Sequence, residues 1–220
     1  MVLVMLGHSV AAQTTLKVAV VHGVDAPLTV ISAIYAEMGY EADFEEIPPE
    51  RALAQLSRGN AYDAFVGLNT DSIDKFPNLI FTHEVLLEFS IQAWVRKGSP
   101  IAIKAPKDLN SYRIGQLRGT KGALNLLAAI DKEVQETNSM ESLAQMLWQG
   151  RFDVALVPSI LNTVPLEEVG QLAAPNLLRL KGVHVFSKKH TELVKKWDTI
   201  LKTMKADGRY KKLLQAGPTR

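Results

Sequence analysis

The stretch YRIGQLRGTKGALNLL, residues 112–127, joins a short apolar strand pattern to a glycine turn and an apolar helix pattern. Gly119 can adopt the backbone conformations of a tight turn, and Thr120 is a residue type that caps helices. Free N–H groups at a helix start favour an anion, so this segment predicts a site for a carboxylate or another small oxyanion. The alternative is that Thr120 only caps the helix and the neighbouring cations are solvated. The predicted ligand contacts here are Arg118, Gly119, Thr120 and Lys121.

The composition is that of a folded globular chain. Its 220 residues are 47% hydrophobic and 22% charged, which excludes disorder and leaves core for one domain or two small lobes. A net charge of +2 is too small to indicate a nucleic-acid partner. The chain has no cysteine, which excludes a disulfide framework, a thiolate nucleophile and a cysteine zinc site. No cofactor or metal is predicted.

The N-terminus resembles an export signal. Residues 2–6 are apolar, and residues 9–12 are small enough for a signal peptidase, although the usual basic start is missing. We therefore predict a truncated signal peptide over residues 1–12 and a mature periplasmic protein beginning near Gln13. The alternative is an N-terminal strand. No apolar stretch reaches the ~20 residues of a membrane span.

Two strand ends carry further polar candidates. An apolar run at 16–21 leads into a polar loop at 22–27, and a second run at 63–68 ends in Asn69 and Thr70. Open α/β sheets bind ligands beyond the carboxyl ends of their strands. Turn residues also serve local hydrogen bonding, which is the alternative. The ligand contacts predicted from these loops are His22, Asp25, Asn69 and Thr70.

Two segments about ninety positions apart have the same pattern. LAQLSRG at 53–59 is followed by Asp63, and LAQMLWQG at 143–150 is followed by Asp153. Each predicts a helix, a glycine, an aspartate and a buried strand, so the chain is predicted to form two lobes of like construction. Lobe 1 is assigned to residues 13–95 with 185–220, and lobe 2 to residues 96–184.

The predicted fold is α/β, with two open mixed sheets flanked by helices and joined by two crossing strands. Ser90–Val95 is the first predicted crossing and Gly182–Ser187 the return. Between them, the pattern after the second repeat predicts a helix near 159–169 and a separate strand near 177–180.

The order of these parts resembles the solute-binding proteins of ABC transporters, specifically the type II periplasmic family 3 that includes polar amino acid binders. The resemblance implies a two-lobed monomer that closes over a small polar, anion-bearing molecule and delivers it to a membrane permease. The motifs that carry the resemblance are Leu56–Asp63, Phe81–Glu84, Lys107–Leu109 with Ile114–Gly115 and Gly119–Thr120, Gly150 with Asp153, Phe186–Lys189 and Lys205–Tyr210.

The resemblance also implies site roles, two of which this sequence changes. Lys75 stands where family members carry the arginine that grips the ligand carboxylate, and lysine lacks the planar guanidinium fork. Pro158–Ser159 stands where an aspartate usually binds the amino group. Gly119–Thr120 is retained. The resemblance therefore implies a ligand with an anionic group, and it implies that Lys75 contacts that group.

Two other functions stay open at this stage. Some relatives are exported dehydratases of cyclic carboxylic acids, and Lys75, His22 or Glu84 would have to supply the acid/base group. An orphan sensor domain that signals to a membrane partner would have the same sequence pattern. A binding protein without enzymatic activity is the leading hypothesis.

Overall fold

A computed structural model of the chain describes residues 14–21, 24–25, 27–69, 76–118, 120, 133–161 and 163–217, with the backbone only for 67–69. The strands are β1 (Thr14–Val20), β2 (Tyr40–Glu46), β3 (Ala64–Asn69), β4 (Leu79–Phe81), β5 (Leu87–Arg96), β6 (Ile114–Leu117), β7 (Gln135–Thr137), β8 (Val154–Pro158) and β9 (Gly170–Ser187). The helices are α1 (Leu28–Met38), α2 (Pro49–Arg58), α3 (Met140–Trp148), α4 (Val164–Val169), α5 (Thr191–Ala206) and α6 (Arg209–Ala216). Among these helices, none combines the length and the apolar character needed to cross a membrane.

The first half of the molecule is a parallel sheet with helices on both faces. It contains β1–β3, α1, α2, α5 and α6, and β1 pairs in parallel with both β2 and β3, whereas β4 pairs antiparallel with β9. Leu16 and Val18 of β1 pack in one hydrophobic cluster with α1 and α5, whereas Ala19 packs in another cluster with α2. This alternation follows the two-residue period of a strand, and the last three residues of β1 are all apolar because both faces of the sheet are covered there.

The second half repeats the parallel strand pairing with β6, β7 and β8, and it contains α3 and α4. β6 pairs in parallel with β7 and β8. One face of these strands packs against α3 and α4 through a cluster that includes Leu143, Leu147 and Phe152, and the other face packs in a cluster that includes Ile114 and Leu109. The α/β class predicted from the sequence is confirmed.

β5 and β9 connect the two halves. They pair antiparallel from Leu87↔Gly182 to Arg96↔Gly170. β9 also pairs with β3 and β4, and β5 also pairs with β8. The described strands therefore form one nine-stranded sheet, in the order β2-β1-β3-β9-β5-β8-β6-β7 with β4 beside β9, rather than two separate sheets.

The return strand is longer than the sequence predicts. β9 is continuous over 18 residues, and the predicted helix near 159–169 is shortened to Val164–Val169. Pro175 lies where the β5–β9 register shifts, between Ala174 and Leu178, the partners of Ala93 and Ile91. A proline lacks a donor for the ladder, and a bulge accommodates it without ending the strand.

Each of the two repeated segments has a glycine with positive φ after its helix. α2 ends at Arg58 and is followed by Gly59 at φ +72°, and α3 is followed by Gly150 at φ +68°. Residues with a Cβ are strained in this left-handed region, so glycine allows the chain to leave each helix and enter the next strand.

The aspartate of each repeat has the same structural role. The carboxylate of Asp63 accepts a hydrogen bond from the backbone N–H of Lys17 at 2.8 Å, and the N–H of Asp63 donates to the Lys17 carbonyl at 2.8 Å. Asp153 makes the corresponding pair with Arg113, at 3.0 Å and 2.8 Å. Each aspartate therefore fixes its own strand beside the first strand of its half, which explains why the sequence repeats it.

Replacing Asp153 with alanine is expected to lower the free energy of unfolding by about 1–2 kcal/mol, because the backbone N–H of Arg113 loses its acceptor. The guanidinium of Arg113 lies 2.8 Å from the carboxylate and is 57% exposed, so the ion pair itself adds little. The hydrogen bond from the Arg113 side chain, with a smaller contribution from the Arg113 backbone N–H, holds the pKa of Asp153 below its usual 3.8, so the stabilisation is present above that pH and is lost as the carboxyl is protonated.

Urea unfolding measures this loss. Asp43→Ala is the matched control, because Asp43 is an exposed residue of β2, and a change within ±0.5 kcal/mol is expected there. Equal effects of the two substitutions would contradict the role assigned to Asp153.

Candidate ligand-binding site

A cavity of about 490 Å³ lies between the two halves of the molecule. Five strands end at its walls. In the first half, Val21 follows β1 and Glu46 ends β2. In the second half, Leu117 ends β6, Asn138 follows β7 and Leu161 lies after β8. This is the edge at which open α/β sheets bind ligands. Its volume lies within the range of small-molecule pockets, about 300–1,000 Å³. The described lining residues are Val21, Glu46, Ile47, Pro48, Pro49, Glu50, Leu117, Arg118, Thr120, Asn138, Ser139, Met140, Glu141, Leu161 and Pro165.

Two residues of the predicted anion site line this cavity. Arg118 is exposed, and its Nε lies 3.6 Å from a carboxylate oxygen of Glu136. Its backbone N–H donates to the Thr137 carbonyl at 2.8 Å, which fixes the start of the turn after β6. The hydroxyl of Thr120 donates to the Leu117 carbonyl at 2.6 Å. The Thr120 hydroxyl therefore already donates its proton within the protein. Toward a ligand, its oxygen can act only as a hydrogen-bond acceptor.

The other predicted contacts divide into two groups. Asp25 is exposed in the loop between β1 and α1, where its carbonyl accepts a hydrogen bond from Leu28 N–H. Asn69 ends β3 and pairs with Gly182 of β9. Neither is part of the cavity wall given above. The predicted contacts that lie outside the described residues are His22, Thr70, Lys75, Gly119 and Lys121, and the helix predicted after Thr120 lies outside them too.

Ser159, at the position where the resemblance implies an aspartate, has a role in the crossing strands. Its hydroxyl accepts a hydrogen bond from the backbone N–H of Ser90 at 3.0 Å, and its own N–H donates to the Ser90 carbonyl at 2.8 Å. The Ser90 hydroxyl in turn donates to the Pro175 carbonyl at 2.9 Å. These bonds join β5, β9 and the end of β8 where the two halves meet.

Glu84, an acid/base candidate of the dehydratase alternative, and its neighbour His83 are positioned by the first half of the molecule. A carboxylate oxygen of Asp198 on α5 lies 2.8 Å from Nδ1 of His83, and the same carboxylate accepts the backbone N–H of both residues. Glu84 lies 3.2 Å from the ammonium of Lys205. These contacts hold the loop before β5 against α5, and neither residue belongs to the described cavity wall.

Sequence reasoning missed two parts of the wall. The first is the segment from Glu46 to Glu50, where β2 ends and α2 begins with Pro49 at its first turn. The second is the segment from Asn138 to Glu141, where Ser139 caps α3 by accepting the Ser142 N–H at 3.1 Å. Both are strand ends followed by a helix start, which is the signal that could have identified them.

The described wall contains more carboxylates than cations. Glu50 and Glu141 lie in the first turns of α2 and α3, where a negative charge interacts favourably with a helix N-terminus. Glu46 is the third carboxylate, and Arg118 is the cation among these lining residues. This part of the cavity therefore disfavours a multiply charged anion.

The chain belongs to the bacterial extracellular solute-binding proteins, family 3, whose family model matches residues 18–216. The resemblance inferred from the sequence motifs is thereby confirmed, and the family is one of binding proteins. No curated protein sequence matches the chain.

Solved structures share the fold at low sequence identity. An ancestral arginine-binding protein bound to arginine has a TM-score of 0.75 at 17% identity, covering 94% of this chain and 99% of the other. The GluR0 ligand-binding core in complex with L-glutamate has a TM-score of 0.79 at 13% identity, covering 94% and 99%. A histidine kinase sensor domain with similarity to periplasmic binding proteins has a TM-score of 0.76 at 16% identity, covering 92% and 96%. These likenesses confirm the predicted type II periplasmic binding fold.

Proposed function

We propose that the protein is a periplasmic solute-binding protein that closes over a small molecule bearing one carboxylate or a comparable anion. The observation that carries this proposal is the cavity between the two halves, with Arg118 and Thr120 on its wall at the end of β6. The charge of the described wall favours a monocarboxylate or a zwitterion over a dianion. The arginine and glutamate bound by two structural neighbours support an amino acid or a related acid.

Closure is proposed as a hinge motion of β5 and β9. The two lobes are residues 13–95 with 185–220 and residues 96–184, as the sequence predicts, and both contribute to the cavity wall. A ligand that contacts both walls stabilises the closed state by its differential affinity for that state. Of the predicted contacts outside the described residues, Lys75 and Lys121 are proposed to add cations to the site.

We propose an ABC-type permease as the membrane partner and a monomer exported by a signal at residues 1–12. The family membership supports this assignment, because the family is extracellular. A sensor domain is the second candidate, since the kinase sensor domain shares the fold over most of both chains. Cross-linking in the native cells separates the two, by capturing either a permease or a membrane kinase.

The proposed function is tested with L-amino acids and short monocarboxylates as probes. A bound probe at about one hundred times its Kd is expected to raise stability by about 2.7 kcal/mol in thermal unfolding and to reduce the radius of gyration in small-angle X-ray scattering. Arg118→Gln is expected to weaken binding of the same probe at least tenfold, because a hydrogen bond to a charged group is lost, worth about 1.5–3 kcal/mol.

Arg151→Gln is the matched control, since Arg151 is also exposed and does not line the described cavity. A panel without any stabilisation or compaction would count against the binding function. Equal weakening by both arginine substitutions would count against the placement of the anion beside Arg118.

A further inference from the structure

The apolar part of the cavity wall consists of the edges of two hydrophobic clusters. Ile47 belongs to the cluster under α2 in the first half, and Val21 packs against that cluster. Leu117, Met140 and Leu161 pack against the cluster under α3 and α4 in the second half. These three side chains are only partly buried, so the cavity leaves apolar surface of the second half open to water.

Pro48 and Pro49 extend the apolar wall of the first half and remove hydrogen-bond donors from it. Proline has no backbone N–H, and these two residues occupy the N-cap and the first position of α2. A helix start normally offers free N–H groups to a polar ligand, and here the first two are absent. The backbone N–H of Ile47 is not free either, because it donates a hydrogen bond to the Val20 carbonyl at 3.0 Å.

Three polar groups of the second wall are also engaged in local hydrogen bonds. The N–H groups of Thr120 and Leu161 donate to the carbonyls three residues before them, at 3.2 Å and 3.1 Å. The hydroxyl of Ser139 is 3.2 Å from that of Ser142 and accepts the Ser142 N–H. A ligand body that carried several hydrogen-bond acceptors would lose water beside these residues and find few free donors among them.

We propose that the ligand carries an apolar body, aliphatic or aromatic, beside its single anionic group. This inference rests on the proposed function, whose site it specifies. The anionic group binds at the Arg118 side, and the apolar body lies between Ile47 with the two prolines and Met140 with Leu161. When the lobes close, the apolar body contacts both hydrophobic clusters and shields the partly buried side chains of Leu117, Met140 and Leu161 from water.

Calorimetric titration of the full chain, freed of co-purified ligand by dialysis, tests this inference with two probe sets. In the series L-2-aminobutyrate, L-norvaline and L-norleucine, Kd is expected to fall about fourfold per added methylene. L-Leucine is expected to bind at least tenfold more tightly than its polar near-isostere L-asparagine. Butyrate, pentanoate and hexanoate repeat the series for a site that accepts ligands without the amino group.

Two variants test whether the apolar body of the ligand contacts Leu161. Leu161→Asn is expected to reduce the step per methylene to less than twofold, because it makes the wall polar at nearly constant volume. Leu172→Asn is the matched control, since Leu172 is 41% exposed and is not part of the described wall, and it should keep the fourfold step.

If Kd does not change with chain length and L-asparagine binds as tightly as L-leucine, the apolar-body inference is overturned and the proposed function stays in place. An unchanged methylene step in Leu161→Asn would overturn it as well. Absence of binding by every probe, together with absence of compaction in scattering, would overturn both.

Discussion

Acidification from pH 6.5 to pH 4.5 is expected to remove roughly 2 kcal/mol of folding stability through His184 alone. His184 lies on β9 and is fully buried, with its ring stacked on that of Trp197 at 4.1 Å. Nε2 is 2.7 Å from the Tyr35 hydroxyl, and within the described part of the chain Nδ1 has no partner. Burial without a compensating charge lowers the pKa of His184 from 6.5 to about 3.

The direction of the effect follows from proton uptake. Between these two pKa values the unfolded chain holds a proton on His184 that the native protein does not hold, so stability falls as the pH falls. Urea unfolding at several pH values measures the dependence. The double variant Tyr35→Phe/His184→Phe removes the titrating group together with its hydrogen-bond partner and is expected to lose this component.

The single variant Tyr35→Phe is the control, because it keeps His184 and is expected to keep the pH dependence. Parallel pH profiles for the native chain and the double variant would show that His184 does not contribute. Protonation of Asp63 and Asp153 is a separate effect, because their pKa values lie below the usual aspartate value and they titrate at lower pH.

Gly115→Ala is expected to lower the free energy of unfolding by about 3 kcal/mol, at the upper end of the usual cost of overpacking. Gly115 lies in β6 against the ring of Phe152, which is fully buried between the sheet and α3. A Cβ at position 115 would lie 2.4 Å from two carbons of that ring, well inside van der Waals contact. The close-packed cluster leaves the ring little room to move.

A double-mutant cycle identifies the contact. Phe152→Leu opens space at the ring position, so Gly115→Ala should cost clearly less in that background than in the native chain. The midpoint of urea unfolding, at constant slope, measures each corner of the cycle. Equal costs in both backgrounds would mean that Phe152 is not the group that excludes a side chain at position 115.

The sequence predicted the fold best at positions where one residue determines the local backbone conformation or strand pairing. Gly59 and Gly150 end their helices because glycine tolerates positive φ, and Asp63 and Asp153 begin the next strands because their carboxylates bind a neighbouring backbone. The long strand β9 was not predicted as one element. Pro175 interrupts its pattern, and the bulge that accommodates the proline is defined only by the partner strand β5.

The site was predicted less completely, for a similar reason. Arg118 and Thr120 were found because a glycine turn after a strand is a local signal. The wall formed by Ile47 and Pro48 was missed, because nothing near these residues in the sequence indicates that Met140 and Leu161 face them across the cavity. That proximity follows from the pairing of β5 with β9, whose paired residues are 74 (Arg96↔Gly170) to 95 (Leu87↔Gly182) positions apart in the sequence.

The ladder between β5 and β9 also governs how the molecule responds to force. Two strands bonded from Leu87 to Arg96 form a ribbon that resists stretching and sliding, because either motion would break many hydrogen bonds at once. A pull that draws the two halves apart along these strands is therefore expected to load the whole ladder in shear.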